Sequence, residues 1–189
     1  LETALAMAKE TETKALSVRL YDKEVGLLEQ TPIGKMRFTY AESAKHRLSV
    51  GMPMRQESYG EIESEAFFGG LLPESEAARK AIGRRYGINA NNSFSLLRAI
   101  GYDCAGAVSL HPTDDTVVAD RKQTHRLSGQ VLSEAVLAQH IIDLPQKPLF
   151  LGIEGLRLSL AGAQDKAAVC LIENQVALPE GGCPTTHIL

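Results

Sequence analysis

Apolar side chains recur along this chain first at the two-residue period of strands, then at the spacing of helices, and finally at the strand period again. Alternation over residues 16–21 and 24–28, on either side of the polar pair Asp22 and Lys23, predicts a β-hairpin; residues 36–41 add a third antiparallel strand. Gly51 and Pro53 keep 49–55 extended or turning, and 58–61 read as a polar loop. In 64–72, Phe67, Phe68, Leu71 and Leu72 fall at three-to-four spacing, which predicts a short helix whose aromatic face docks on the sheet as core. Beyond Pro73, residues 74–86 begin with acids and end on Arg84 and Arg85 before Gly87, the charge order and stop of a helix. Asn92 or Ser93 caps a third helix through Ile100, with Phe94 and Leu97 inward and Gly101 as its stop.

Residues 104–111 then read as a strand, with Gly101, Gly106 and Ala107 small enough for the helix to pack tightly against it. Polar residues dominate 111–122, an exposed connection. Ser128 or Ser133 caps a helix to about Ile142, where Leu132, Val136, Leu137 and Ile141 form an apolar stripe, and Pro145 and Pro148 end regular structure. Strand character returns at 156–159, 166–172 and 175–178, with turns at Glu173-Asn174 and Gly181-Gly182 and a last strand entering at Thr186. The fold class is therefore α+β: a small antiparallel β-rich subdomain with packed helices, then a second antiparallel sheet. The expected division is a tag remnant or disordered start at 1–15, with Met7 reading as a native start, then a first subdomain at 16–120. A helix and linker follow at 121–150, and the second sheet at 151–189.

The whole has 189 residues, 44% of them hydrophobic, enough to bury a substantial core. Net charge is −3, so no general attraction to nucleic acid or to an anionic membrane is expected. No apolar run approaches the roughly 18 residues that span a bilayer, no signal pattern opens the chain, and the cytoplasm is the expected compartment. Cys104, Cys170 and Cys183 are odd in number and irregular in spacing, so they form no disulfide framework and read as inert thiols. Cys183 with His187 and Cys170 lacks the paired short spacings of structural zinc, and no metal site is expected in this chain. Asp114 and Asp115 lack a third cation ligand and read as solvated, as does the basic face of Arg79, Lys80, Arg84 and Arg85. No Gly-x-Ser-x-Gly elbow marks a hydrolase.

The stretch with the most distinctive chemistry is Ser159-Leu160-Ala161-Gly162-Ala163-Gln164-Asp165-Lys166. Flanking strand character makes it a loop joining neighbouring strands, with three small residues at its tip. Gly162 can take the positive φ that turns successive N–H groups toward one point, and such a concavity binds anions, phosphate above all. Lys166 closes the loop and Arg157 precedes it; Asp165 either holds Lys166 in place or repels a phosphate. The spacing is neither that of a P-loop nor that of an ordinary kinase glycine loop. Taken alone, the eight residues are also compatible with a plain hairpin.

The run 157–166, followed by Pro184-Thr185-Thr186-His187-Ile188, resembles the nucleotide-binding segment of the HipA-type toxin kinases. Phe67-Phe68, Leu71-Leu72-Pro73, Leu97, Ile100-Gly101, Asp103 and Gly106-Ala107 match the same family in the same order, and the resemblance covers roughly residues 16 to 189. It implies that 151–189 begin a kinase-like N-lobe whose sheet is cut off here. It further implies that Ala161, Gly162, Ala163, Gln164, Asp165 and Lys166 bind ATP, and that Ser159 is an autophosphorylation site whose modification switches the kinase off. The implied cofactors are ATP and Mg2+. The implied partners are a HipB-like helix-turn-helix antitoxin, through which alone DNA is met, and a protein substrate such as an aminoacyl-tRNA synthetase or a translation factor. No membrane partner is implied.

The family's catalytic aspartate, its metal-binding aspartate and its ATP-contacting lysine follow the Thr-His-Ile strand. This chain therefore carries no catalytic residue, and it is expected to be the N-terminal part of a longer kinase and silent alone. The alternative is a non-catalytic interaction module that binds a kinase body or a helix-turn-helix antitoxin.

Overall fold

In a computed structural model, which describes residues 14–104, 108–114, 129–145, 158–159, 166–179 and 185–189, the chain opens on β1 (Lys14–Leu20) and β2 (Lys23–Gln30). Tyr21 and Asp22, at φ 49° and 62°, form the two-residue left-handed turn that matches the twist of paired strands, one position earlier than the sequence suggests. β3 (Met36–Tyr40) and β5 (Val108–Pro112) complete an antiparallel sheet in the order β3-β2-β1-β5. Its register sets Leu16 opposite Leu28, Leu28 opposite Phe38, and Val18 opposite Leu110, so alternate residues of four strands line one buried face. Gly26 is required in that register. A Cβ there would stand 2.4 Å from the Thr39 carbonyl oxygen and 2.6 Å from the Phe38 ring.

Helices α1 (Glu61–Phe68), α2 (Glu76–Tyr86) and α3 (Ser93–Ile100) cover that face, with a 3-10 turn at Gly69–Leu71 after α1. Ser75 Oγ accepts from Ala78 N at 3.3 Å, Asn92 Oδ1 accepts from Ser95 N at 2.9 Å, and Gly87 closes α2 at φ 64°. The Asn92 cap and the Gly87 stop are those that the sequence predicts, whereas α2 starts at Glu76 rather than at Glu74, with Ser75 as a cap that the sequence reading does not single out. Phe68 packs 5.3 Å from Phe38 and is fully buried, whereas Phe67 is half-buried and stands edge-on to Phe68 at 5.0 Å. One expectation fails here. Residues 58–61 are not a polar loop, because Tyr59 is buried and exchanges backbone hydrogen bonds with Phe38 at the sheet edge, and α1 already starts at Glu61.

Tyr40 and Tyr59 shape residues 41–58. The Tyr40 hydroxyl accepts from Leu48 N at 2.8 Å and donates to the Met52 carbonyl at 2.7 Å, while the Tyr59 hydroxyl donates to the Pro53 carbonyl. Burial pushes the Tyr40 phenol above its usual range, against the opposing backbone hydrogen bond from Leu48. A raised folded-state value means stability that is complete below about pH 10 and lost as pH climbs past it. Tyr40→Phe is expected to lose about 1–3 kcal/mol at neutral pH, because it strands Leu48 N–H and the Met52 carbonyl. It should also flatten the alkaline loss. Urea midpoints from pH 8 to 11 check both.

A second antiparallel sheet runs β10-β8-β9-β6, built from β8 (Ala168–Ile172), β9 (Gln175–Pro179), β10 (His187–Ile188) and β6 (Gly129–Val131). Glu173 and Asn174, at φ 50° and 65°, make the β8–β9 turn that the sequence places there. β6 is not anticipated by the sequence. It pairs with β9, and α4 (Glu134–Asp143), capped by Ser133, follows at once. Leu132 and Leu144, on either side of α4, are buried with Ala167, Val169 and Leu178. Residues 129–145 thus pack with the C-terminal strands.

The third pairing is a parallel one between β4 (Asp103–Cys104) and β7 (Leu158–Ser159). It corrects the reading of 159–166 as a loop between neighbouring strands. Among the described residues, β7 pairs with the first domain and β8 with the second sheet, so the two strands flanking the loop lie in different sheets. The architecture as a whole is α+β, as expected. The tag remnant, Gly106, Ala107, Asp115, Pro148, Arg157, the Gly181-Gly182 turn and Cys183 lie outside the described residues.

Candidate functional site

The region that the sequence marks as nucleotide-binding is described on both flanks. On the near side, the backbone of Ser159 is in register with Cys104, and that of Leu158 with Asp103. α3 places β4: the carbonyl of its C-capping Gly101 accepts from Leu110 N at 2.7 Å and from Cys104 Sγ at 3.5 Å, and β7 also contacts α3. Gly101 itself is dictated by packing. A Cβ there would lie 2.4 Å from the Leu97 carbonyl oxygen and 3.2 Å from the Leu110 side chain. The family-matching positions Phe68, Leu72, Leu97, Ile100 and Gly101 are therefore the scaffold that presents β4, and none of them contributes chemistry.

On the far side, Lys166 is half-buried and immediately precedes Ala167, which is fully buried. Ala167 exchanges both backbone hydrogen bonds with Leu189, at 3.1 and 2.9 Å, and Thr186 N donates to the Val169 carbonyl at 2.9 Å. β8 lies inside its sheet, between β9 and β10. Lys166 is thus fixed at the mouth of an interior strand, where its ammonium starts from an anchored backbone. Ala161, Gly162, Ala163, Gln164 and Asp165 lie outside the described residues.

Other charged groups that the sequence singles out turn out to be structural. Arg79 donates to the Pro73 carbonyl at 2.7 Å and to that of Gly69 at 3.5 Å, tying α2 to the 3-10 turn, and Lys80 pairs with Glu76 at 2.6 Å. Asp114 accepts from Arg98 at 2.9 Å, and that hydrogen bond holds its carboxyl below the usual carboxylate range. Asp114 is thereby accounted for as an ion-pair partner. Cys104 and Cys170 are buried thiols that donate to the Gly101 and Ala177 carbonyls, and among the described residues no three His, Cys, Asp or Glu side chains converge as metal ligands. No helix of the described residues is long and apolar enough to cross a membrane.

Sequence reasoning missed the β4–β7 pairing. Two-residue strands carry no readable periodicity, and the only signal is that Asp103-x-x-Gly106 and Arg157-x-Ser159 both belong to the motif set that suggests the family.

Comparison with known proteins bears on the same segments. A family model described as the HipA N-terminal domain matches residues 16–111, from β1 to β5. The "Putative kinase Y4mE" of Sinorhizobium fredii (strain NBRC 101917 / NGR234) is 38% identical over 186 residues, covering 93% of this chain and 43% of that protein. An aligned span of 93% of 189 residues reaches across positions 158–166 wherever it begins. The "Serine/threonine-protein kinase toxin HipA" of Shewanella oneidensis MR-1 is 31% identical over 123 residues, 65% of this chain and 27% of that one. The chain thus spans less than half the length of these relatives. With its first four-stranded sheet and three helices matched as one domain, and its remainder aligned to a kinase-named relative, the chain belongs to the HipA family.

Proposed function

We propose that this chain is the N-terminal part of a HipA-like serine/threonine protein kinase that binds ATP through residues 161–166 and is silenced by phosphorylation of Ser159. The observation that carries this reading is the alignment with Y4mE, which spans 93% of this chain and so reaches across both β7 and Lys166. Phosphoryl transfer needs the γ-phosphate positioned and its charge neutralised. The part that this chain would supply is a cation at the mouth of β8 and the run of small residues that precedes it in sequence. ATP with Mg2+ would bring the transferable phosphoryl group and part of its charge compensation, with the metal ligands in the remainder of the kinase. A helix-turn-helix antitoxin of the HipB type, and a protein of the translation apparatus as substrate, are the partners that this reading carries with it.

Two measurements test it together. Incubated with MgATP, the kinase-length protein should carry phosphate on Ser159 by phosphopeptide mapping, and a catalytically dead variant should not. The 189-residue chain alone should transfer no γ-labelled phosphate. Labelling of other serines with Ser159 untouched would sink the switch, and activity of the short chain would sink its assignment as a non-catalytic part.

A further inference from the structure

We propose that residues 41–58 are a preorganised recognition loop for an acidic protein segment that also carries apolar side chains. The loop joins β3 to the sheet-edge residue Tyr59 and has no helix or ladder strand of its own. Irregular connections longer than about 12–15 residues are uncommon in compact domains, and the ordered ones usually serve binding or catalysis. This one is held from inside. The Tyr40 hydroxyl engages both Leu48 N and the Met52 carbonyl, at 2.8 and 2.7 Å, so the chain enters and leaves the turn 48–52 side by side. Met52 N closes that turn on the Ser49 carbonyl at 3.2 Å.

The exit of the loop is fixed as firmly. The Tyr59 hydroxyl donates to the Pro53 carbonyl, and the Arg55 guanidinium lies 3.6 Å over the Tyr59 ring. Arg55 also donates to the Glu57 and Ser58 carbonyls, each at 3.2 Å, and pairs with Glu63 of α1 at 3.0 Å. Met52 and Tyr59 are buried, whereas Lys45, His46, Arg47, Val50, Pro53 and Met54 are exposed, Val50 by 79%. A loop ordered in advance loses little conformational entropy when a partner binds it.

Charge and apolar surface together define the partner. Residues 43–56 hold Lys45, Arg47 and Arg55 and no carboxylate, in a chain of net charge −3. Arg55 is engaged with Glu63, while Lys45, His46 and Arg47 enter no ion pair among the described residues. Closure of 48–52 on one hydroxyl sets these cations on one flank of the turn and Pro53 and Met54 on the other, with Val50 inside the turn sequence. An acidic segment answers the cations, and its apolar side chains cover Val50 and Met54. A nucleic acid answers only the first, since phosphates offer Val50 and Met54 no apolar contact and the net charge of the chain opposes a long polyanion. None of these residues belongs to the nucleotide segment, so the docking stands or falls apart from the kinase reading.

Fluorescence anisotropy on the 189-residue chain tests this with three labelled probes: a peptide of four Asp-Glu-Leu repeats, a peptide of four Asp-Glu-Ser repeats, and a short DNA duplex. The Leu peptide should bind at least fivefold tighter than the Ser peptide, and more weakly as salt is raised. Lys45→Glu combined with Arg47→Glu should weaken its binding at least tenfold, and Val50→Ser at least threefold. These variants leave the Tyr40, Tyr59 and Arg55 ties of the loop in place, so a loss of binding reports the surface and not the fold. Should the charge-reversed variant unfold, Val50→Ser still decides. The proposal is overturned by a parent chain that does not bind the Leu peptide, by equal affinity for the two peptides, by tighter binding of the duplex than of the Leu peptide, or by undiminished affinity in either folded variant.

Discussion

Phe38→Ala should lower the unfolding free energy by about 3–5 kcal/mol, the range for deleting a fully buried phenylalanine whose cavity cannot close. The ring is fully buried at the meeting point of four others' surfaces: Tyr40 edge-on at 4.8 Å, Phe68 at 5.3 Å, Tyr59 at 6.3 Å, and the flat space left by Gly26. Neighbours on the strand cannot collapse into the gap, because β3 is hydrogen-bonded to β2 on one side and to Tyr59 on the other. The loss should appear as a shifted urea midpoint at constant slope. A loss under about 1.5 kcal/mol would mean that the aromatic cluster repacks, contrary to the rigid arrangement inferred here. Because α1 docks through Phe68 against this ring, the same variant should also loosen the helical layer that presents β4.

Lys166→Ala, made in the kinase-length protein, should weaken ATP binding by about 1–3 kcal/mol, the range for losing a charge-assisted hydrogen bond, or about 5- to 150-fold in affinity. The effect belongs to the side chain alone, since the backbone beyond it is pinned by the paired hydrogen bonds of Ala167 with Leu189 and by burial of Ala167. Lys166→Arg should recover part of the affinity by keeping the charge. Nucleotide affinity unchanged in Lys166→Ala would assign the residue to the sheet and leave the phosphate counter-charge to the rest of the kinase.

Much of the first domain is legible in the chain itself, because its signals are local. Asn92 occupies a capping position that only a few side chains fill well, as Ser133 does beside the second sheet, and Gly87 adopts the left-handed conformation that ends α2. Alternation along β1, β2 and β3 marks one buried face because a strand's side chains point alternately to opposite sides. Phe94, Leu97 and Ile100 point inward for the analogous helical reason. The motif series that suggests the HipA family is likewise written in the sequence, and the match over 16–111 agrees with it.

Long-range pairing is what the sequence by itself does not determine. Gly129–Val131 looks like a polar approach to a helix until β9 is beside it, and three residues have too little pattern to declare a strand. Tyr59 sits among polar neighbours and reads as loop; only the unsatisfied edge of β3 and the space beside Phe38 make it core. Above all, local alternation says that 156–159 and 166–172 are strands but cannot say with what they pair. The tertiary structure decides this by bringing β4, held by the end of α3, against β7, while β8 closes with β9 and β10. Residue type and spacing thus determine the caps, the buried faces and the candidate chemistry of 159–166. Only the closing of hydrogen bonds between distant segments decides that Ser159 belongs to the ladder of one domain and Lys166 to the sheet of the next.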